Sequence, residues 1–383
     1  MEFPPFSLQR LLDTVFAIDE KQKIGVMIDL PDPQRVGHFR FLGDASLTIQ
    51  KIAHDVFYRG LHNLAGQDAR ILPGAFVAYA ITGGSNLDLP DEAWDAEGEK
   101  LSLEKQFYPA HDIILCISTY SATAPLTVFA KRFGFRGATL HGVNEIILSS
   151  GLSVDYREVS KDAEKLRLAM TGADAFEIDF QFEGTTYTLR LETGKQEAQK
   201  SHGLCPPGKP DVANLPAGEV YFVPTSASGS FPMYYEEDRD TIGLMQVDQG
   251  FVTKSTLLRG DQAVVDAHNQ KLKTDPNTGI LGELGFGTQV LPVSGRDIQD
   301  EKILGTVHVA TGRSDHLGGH VDSSSFKEAS HATHDDILFA PFKTPDIHVP
   351  QVRMYKEGAA IVVQEHFQPA DYLNHALAGK EMV

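Results

Sequence analysis

Up to residue 150, short apolar runs alternate with longer amphipathic stretches. Lys23–Asp29 (KIGVMID), Ala75–Ile81 (AFVAYAI), Asp112–Ser118 (DIILCIS) and Ala138–His141 (ATLH) are short and mostly apolar, the pattern of strands buried on both faces. Between them, Leu47–Leu64 and Ala124–Phe133 space their apolar residues for one buried helical stripe. This alternation predicts a parallel sheet with helices on both faces. A longer helix is expected over Val154–Met170.

The texture changes after Thr171. Phe176–Phe182 and Thr185–Glu192 alternate apolar and polar positions around Gly184, which predicts an antiparallel hairpin. Residues 193–214 are rich in Gly, Pro and Lys without a period and read as a loop or linker. Beyond them come the β-type runs Gly218–Val223, Phe251–Leu258, Lys302–Thr311, Asp336–Phe339, Gln351–Tyr355 and Ala359–Gln364, interrupted by a helix over Asp261–Leu272. The predicted fold class is α/β. An N-terminal parallel α/β sheet domain over 1–172 is followed by a β-rich α+β metal-binding domain over 173–383.

The length of 383 residues agrees with two domains, being more than one ordinary core organises. Lys and Arg total 34 against 52 Asp and Glu, a formal charge of -18 with no basic stripe. Nucleic acid and anionic membrane surfaces are therefore poor partners, and a peptide or small molecule is the expected substrate. Cys116 and Cys205 are far apart and form no CxxC pair, which argues against a disulfide framework or thiolate zinc site. No run approaches the roughly 18 apolar residues of a membrane-spanning helix, and the N-terminus lacks a signal-peptide pattern; the expected location is the cytoplasm. TGGSN at Thr82–Asn86 is too short for a nucleotide fingerprint.

Four stretches of the second half could carry chemistry. In NLPAGEVYFVP, Glu219 enters an apolar strand, where a carboxylate must be paired, protonated or metal-bound; the bland alternative is a solvent-facing residue at a strand start. In GILGELGFGTQ, Glu283 stands among glycines and apolar residues, a costly setting for a charge unless it is compensated; an exposed turn is the alternative. In DEKILGTVHVATG, His308 points away from Val307 and Val309, as a ligand or as a hydrogen-bonded core histidine. In SHATHDD, a strand beginning at His334 would put His334 and Asp336 on one face and Asp335 on the other, with His331 in the preceding loop. Two imidazoles and three carboxylates suit zinc, cobalt, manganese or iron(II). They are too many for one four-coordinate zinc and fit two ions sharing a carboxylate, an arrangement that activates water.

The run VDYREVSKDAEKLRLAMTGADAFEIDF, then NLPAGEVYFVP, LGELGFGT, EKILGTVHVATGRSDHLGG and HATHDDI, resembles the aminopeptidase T and aminopeptidase S metallopeptidases in order and approximate spacing. The resemblance covers about residues 150 to 340; the N-terminal half matches only in its α/β character. It implies a metallo-aminopeptidase, a hydrolase using two divalent ions (zinc, cobalt or manganese), usually a homodimer. Glu219, Glu283, His308, His334 and Asp336 would be the ligands, with Glu283 bridging. Glu301 is the nearest match to a family glutamate acting as ligand or general base, although it stands seven residues ahead of His308, about two more than expected. A tyrosine expected soon after His308, suited to oxyanion stabilisation, is missing; GRSDHLGGH offers Asp315 and His316. That departure sustains two alternatives. One is a dioxygenase opening a dihydroxypyridine-like ring, with one iron(II) held by His334, Asp336 and one further acid or histidine. The other is a relative that binds without turnover.

Overall fold

Val26, Met27 and Ile28 are fully buried in the strand Gln22–Leu30 because neither face of it meets water. The computed structural model, which describes residues 3–379, places this strand at the centre of a seven-stranded sheet. The order is Val212–Asn214, Arg136–Thr139, Ile113–Ile117, Gln22–Leu30, Ile71–Ala80, Glu92–Asp95 and Lys100–Ser102. The first five are parallel, and the last two add an antiparallel hairpin at the edge. Alternate side chains divide between two layers: Val26, Ile28, Ile113 and Leu115 enter one core, and Met27, Val77, Ile114 and Cys116 the other. The α/β class read from the sequence holds. Cys116 and Cys205 are free and buried. Burial pushes the Cys116 thiol up to about 12, which leaves it inert at neutral pH.

The chain forms two compact units, each assembled from three segments. One comprises the chain up to Ser160, His202–Ala217 and Leu291–Asp300. The other comprises Lys161–Ser201, Gly218–Val290 and the chain from Glu301 onward. The aperiodic stretch 193–214 is not all loop: it contains the strands Gln199–Ser201 and Val212–Asn214, one in each unit. Strands of three residues are too short to display a period of two. Among the described residues, no helix is long and apolar enough to cross a membrane.

The second unit stacks two antiparallel sheets. The larger has eight strands, with the expected hairpin Ala175–Phe182 and Thr185–Glu192 at its centre. Its turn places Glu183 and Gly184 at φ 46° and 81°, the positive pair required by a tight two-residue connection. The smaller sheet has five strands, here β1 (Gln199–Ser201), β2 (Glu219–Phe222), β3 (Leu281–Gly287), β4 (Val307–Gly312) and β5 (His334–Phe339). Each pairs with its successor, so spatial order follows chain order. Phe222, Leu284, Phe286, Val307, Val309 and Phe339 form its inner face, against Phe176 and Phe180 of the larger sheet. The Phe176 ring lies 5.0 Å from Phe222 and 5.5 Å from Phe286, and Phe180 lies 4.6 Å from Phe339. Because side chains alternate, the residues between these are directed to the opposite face.

His268, on the helix Gln262–Thr274, meets the Tyr235 hydroxyl through Nδ1 at 3.0 Å. Burial pushes its imidazole down from 6.5 to about 4, and nearby Lys271 adds to the effect. Between those values the unfolded chain binds the proton more readily than the folded one. This contribution to stability is therefore complete above about pH 6.5 and is lost as pH falls toward 4. Denaturant titrations of wild type and His268→Gln at pH 7 and pH 4 should differ by about 3 kcal/mol in pH dependence, the wild type being more acid-sensitive. Equal dependence in the two proteins would refute the assignment.

Candidate metal centre

The outer face of the five-stranded sheet alternates ligand-type side chains with very small ones. Across the ladders, Glu219 faces Gly287, His308 faces Gly285, Asp336 faces Ala310 and His334 faces Gly312. A Cβ at Gly285 would stand 2.2 Å from Cε1 and Nε2 of His308, so only glycine leaves room for the imidazole to lie across β3. Gly287 has the same role toward the backbone, since a Cβ there would meet the Ile303 carbonyl oxygen at 2.1 Å.

That close approach belongs to a turn over residues 301–306. The strand expected over Lys302–Thr311 starts only at Val307. Gly305 takes φ 94°, and the Thr306 hydroxyl donates to the carbonyls of Glu301 (3.0 Å) and Ile303 (2.8 Å). The Gln289 amide donates to the Lys302 carbonyl at 2.9 Å. The turn thus brings Glu301 and Lys302 to the face that carries the other polar residues.

Glu219, Glu283, Glu301, His308 and His334 are all buried. Asp336, with its side chain 31% exposed, is the member that opens to solvent. Nε2 of His334 lies 3.0 Å from Glu283 Oε2 and 3.3 Å from Asp336 Oδ1. Its Nδ1 is 2.6 Å from the Arg313 carbonyl oxygen. A carbonyl can only accept, so Nδ1 carries a proton, and Nε2 is left either to donate to the two carboxylates or, once deprotonated, to offer its lone pair to a metal ion. Nε2 of His308 lies 3.5 Å from Glu283 Oε1 and 3.6 Å from Glu219 Oε2. Three overlapping ligand groups result: Glu219 with Glu283 and His308, Glu283 with His334 and Asp336, and Glu301 with His308 and Asp336. Within each, one donor atom per residue lies within 4.8 Å of the others. All six residues singled out in the sequence therefore stand in one cluster.

The remaining polar residues of SHATHDD lie elsewhere. Asp335 is on the other face and accepts from the Thr333 hydroxyl at 2.7 Å, while His331 meets Asp275 at 3.2 Å. Two members of the cluster were not singled out as site residues. Lys302 is 1% exposed, with Nζ 2.5 Å from Glu301 Oε1 and 2.6 Å from Glu219 Oε2. Nothing in the period of EKILGTVH separates a turn lysine from a strand one. His316 packs its ring edge-on to His334 at 4.9 Å; its signal was the missing tyrosine in that segment.

Electrostatics tie the cluster together. Burial alone would raise the Glu283 carboxyl, but hydrogen bonds from His308 and His334 outweigh it and hold the group well below the usual carboxylate range. Burial pushes Glu301 up to about 8 despite the attraction of Lys302. Burial disfavours the charged His308, yet Glu283 raises it to about 9. The imidazoles and Lys302 act as the cations of a carboxylate-rich pocket. Imidazole nitrogens and carboxylate oxygens without thiolates suit a borderline or hard divalent ion. Donors about 2.1 Å from such an ion, at right angles around it, stand about 3 Å apart. The 3.0 and 3.3 Å separations around His334 meet that requirement. The cluster can hold a metal ion.

No family model matches the sequence, and no curated protein matches it. In fold the chain is similar to a solved structure, the 2,5-dihydroxypyridine dioxygenase of Pseudomonas putida KT2440, with a TM-score of 0.61 at 12% sequence identity. The match covers 95% of this chain and 96% of that one. These findings correct the aminopeptidase T and S resemblance: no peptidase family is matched, and the fold neighbour is a dioxygenase. The hydrolase, metallo-aminopeptidase and metalloprotease assignments fall with it. The physical reason lies in what the motifs encode. Acids and histidines between glycines specify a sheet face that gathers ligands, and one such face serves unrelated reactions.

Proposed function

We propose that the chain is an iron(II)-dependent dioxygenase that opens a dihydroxylated nitrogen-heteroaromatic ring. The observation that carries this reading is the Glu283–His334–Asp336 group, whose donors stand 3.0 and 3.3 Å apart around His334 and whose Asp336 side faces solvent. One imidazole and two carboxylates, with His308 adjoining Glu283, leave coordination positions for other molecules. The fold likeness to a dioxygenase supports the same direction. Iron(II), when bound there, would supply the redox chemistry that joins dioxygen to an electron-rich ring.

The chain's own residues have distinct parts in this reading. Glu283, His334 and Asp336 hold the ion, and the Arg313 carbonyl fixes the His334 ring through its Nδ1–H. Asp336 borders the side by which a flat ring enters. Glu301, grouped with His308 and Asp336, is our candidate for carrying a proton to or from a ring hydroxyl.

The test is oxygen uptake by anaerobically iron-loaded protein, with 2,5-dihydroxypyridine and its positional isomers as substrates. The expected result is uptake equimolar with loss of the ring's ultraviolet absorbance. Folded, iron-loaded protein that consumes no oxygen with any dihydroxylated pyridine would rule the reading out.

A further inference from the structure

The three ligand groups supply enough donors for two ions, since Glu219, Glu283 and His308 could hold one and Glu283, His334 and Asp336 another. A two-ion centre was also the expectation from the sequence. Lys302 bears on that count. Its ammonium is 1% exposed and lies between two carboxylates, 2.6 Å from Glu219 Oε2 and 2.5 Å from Glu301 Oε1. We infer that Lys302 fills the second cation position of this centre, so that each chain binds a single divalent ion, against Glu283, His334 and Asp336. This rests on the reading of the cluster as a metal centre, and it is independent of the reaction catalysed there.

Three arguments support it. The first is distance. An ion coordinated by Glu219 Oε2 at about 2.1 Å would share that oxygen with the ammonium, bringing two cations together where no water screens them. The second is the fixed position of the lysine. Its carbonyl accepts from the Gln289 amide at 2.9 Å, and the Gln289 carbonyl accepts from the Leu304 amide at 2.6 Å. With Gly287 pressed against the Ile303 carbonyl oxygen, the turn cannot withdraw without breaking these contacts. The third is charge. With both imidazoles neutral as ligands and all four carboxylates ionised, Glu219, Glu283, Glu301 and Asp336 bring four negative charges, against which Lys302 and one divalent ion leave a deficit of one. A second divalent ion would turn that into an excess of one positive charge in a buried site, the kind of imbalance that interiors exclude. Among the described residues, no lysine or arginine is paired to the Glu283–His334–Asp336 group, which is open on the Asp336 side.

The experiment is metal counting. Wild type, Lys302→Met and the double variant Lys302→Met/Glu301→Gln are loaded with manganese(II), freed of excess by gel filtration and analysed for metal per chain. Electron paramagnetic resonance then distinguishes an isolated manganese from a spin-coupled pair. The expected result is one ion per chain in wild type with an isolated signal, and two per chain with a coupled signal once Lys302 is removed. Lys302→Met leaves Glu219 and Glu301 unpaired; the double variant removes one of those charges and retains the Glu219–Glu283–His308 group. If the single variant does not fold, the double variant decides.

Two ions in wild type would overturn the inference, as would one ion in wild type and in every folded variant. No ion in wild type would overturn it together with the metal-centre reading. One ion in wild type and two in the variants, without oxygen uptake, would leave it standing and remove only the proposed reaction.

Discussion

Replacing His334 by alanine is expected to abolish metal retention and oxygen uptake together, weakening divalent-ion affinity by more than ~100-fold. The scale follows from what is removed. Loss of a residue that only orients a ligand costs on the order of 10–100-fold, and His334 is itself the proposed ligand between Glu283 and Asp336. A second effect accompanies it. Glu283 is buried and owes its low pKa to hydrogen bonds from His308 and His334. Removing one of those partners should destabilise the metal-free protein by about 3 kcal/mol, as for other broken buried pairs. Calorimetric titration with manganese(II) and denaturant unfolding of the metal-free variant measure the two separately. Affinity within a few-fold of wild type in a folded His334→Ala protein would remove His334 from the ligand set.

Gly285→Ala tests the architecture and leaves every ligand in place. The backbone of Gly285 is not in the left-handed region, so alanine carries no conformational penalty there. The conflict is one of space alone: the new methyl would stand 2.2 Å from the His308 ring. The ring has to rotate or β4 has to shift, and overpacking of this kind costs about 1–3 kcal/mol. Metal affinity is expected to fall by roughly 10-fold or more, since His308 supports Glu283 from the side opposite His334. Gly43→Ala, where the added methyl meets nothing within 4 Å, is the matched control. Equal metal affinity for Gly285→Ala and the control would show that the His308 position does not matter to the site.

Much of the fold is legible in the sequence because burial leaves a signature. Ile113–Ile117 is buried at every position and reads as a continuous apolar run. Elements that lack such a signature are missed. Ser226–Tyr234 (SASGSFPMY) is a full strand whose Ser, Gly and Pro content hides it, and Val212–Asn214 is too short for any period. The cluster is legible in part: Glu283 stands out among glycines and apolar residues and His308 between two valines, on strands that prove to be buried. Lys302 is not, because the turn that buries it depends on Gly305 and on packing against Gly287, neither of which is a local property. The reaction was misread from the motifs, since the ligand-bearing face and the chemistry run on it are encoded separately.

The position of β5 has a kinetic consequence. Among the described residues it is an edge strand with β4 as its single sheet neighbour, whereas β3, which carries Glu283, has partners on both sides. Edge strands open by local fluctuation far more often than central ones. An ion held by Glu283, His334 and Asp336 would therefore be a clasp between the centre of the sheet and its margin. Its residence time would follow the fraying of β5, and its presence would slow hydrogen exchange along that strand.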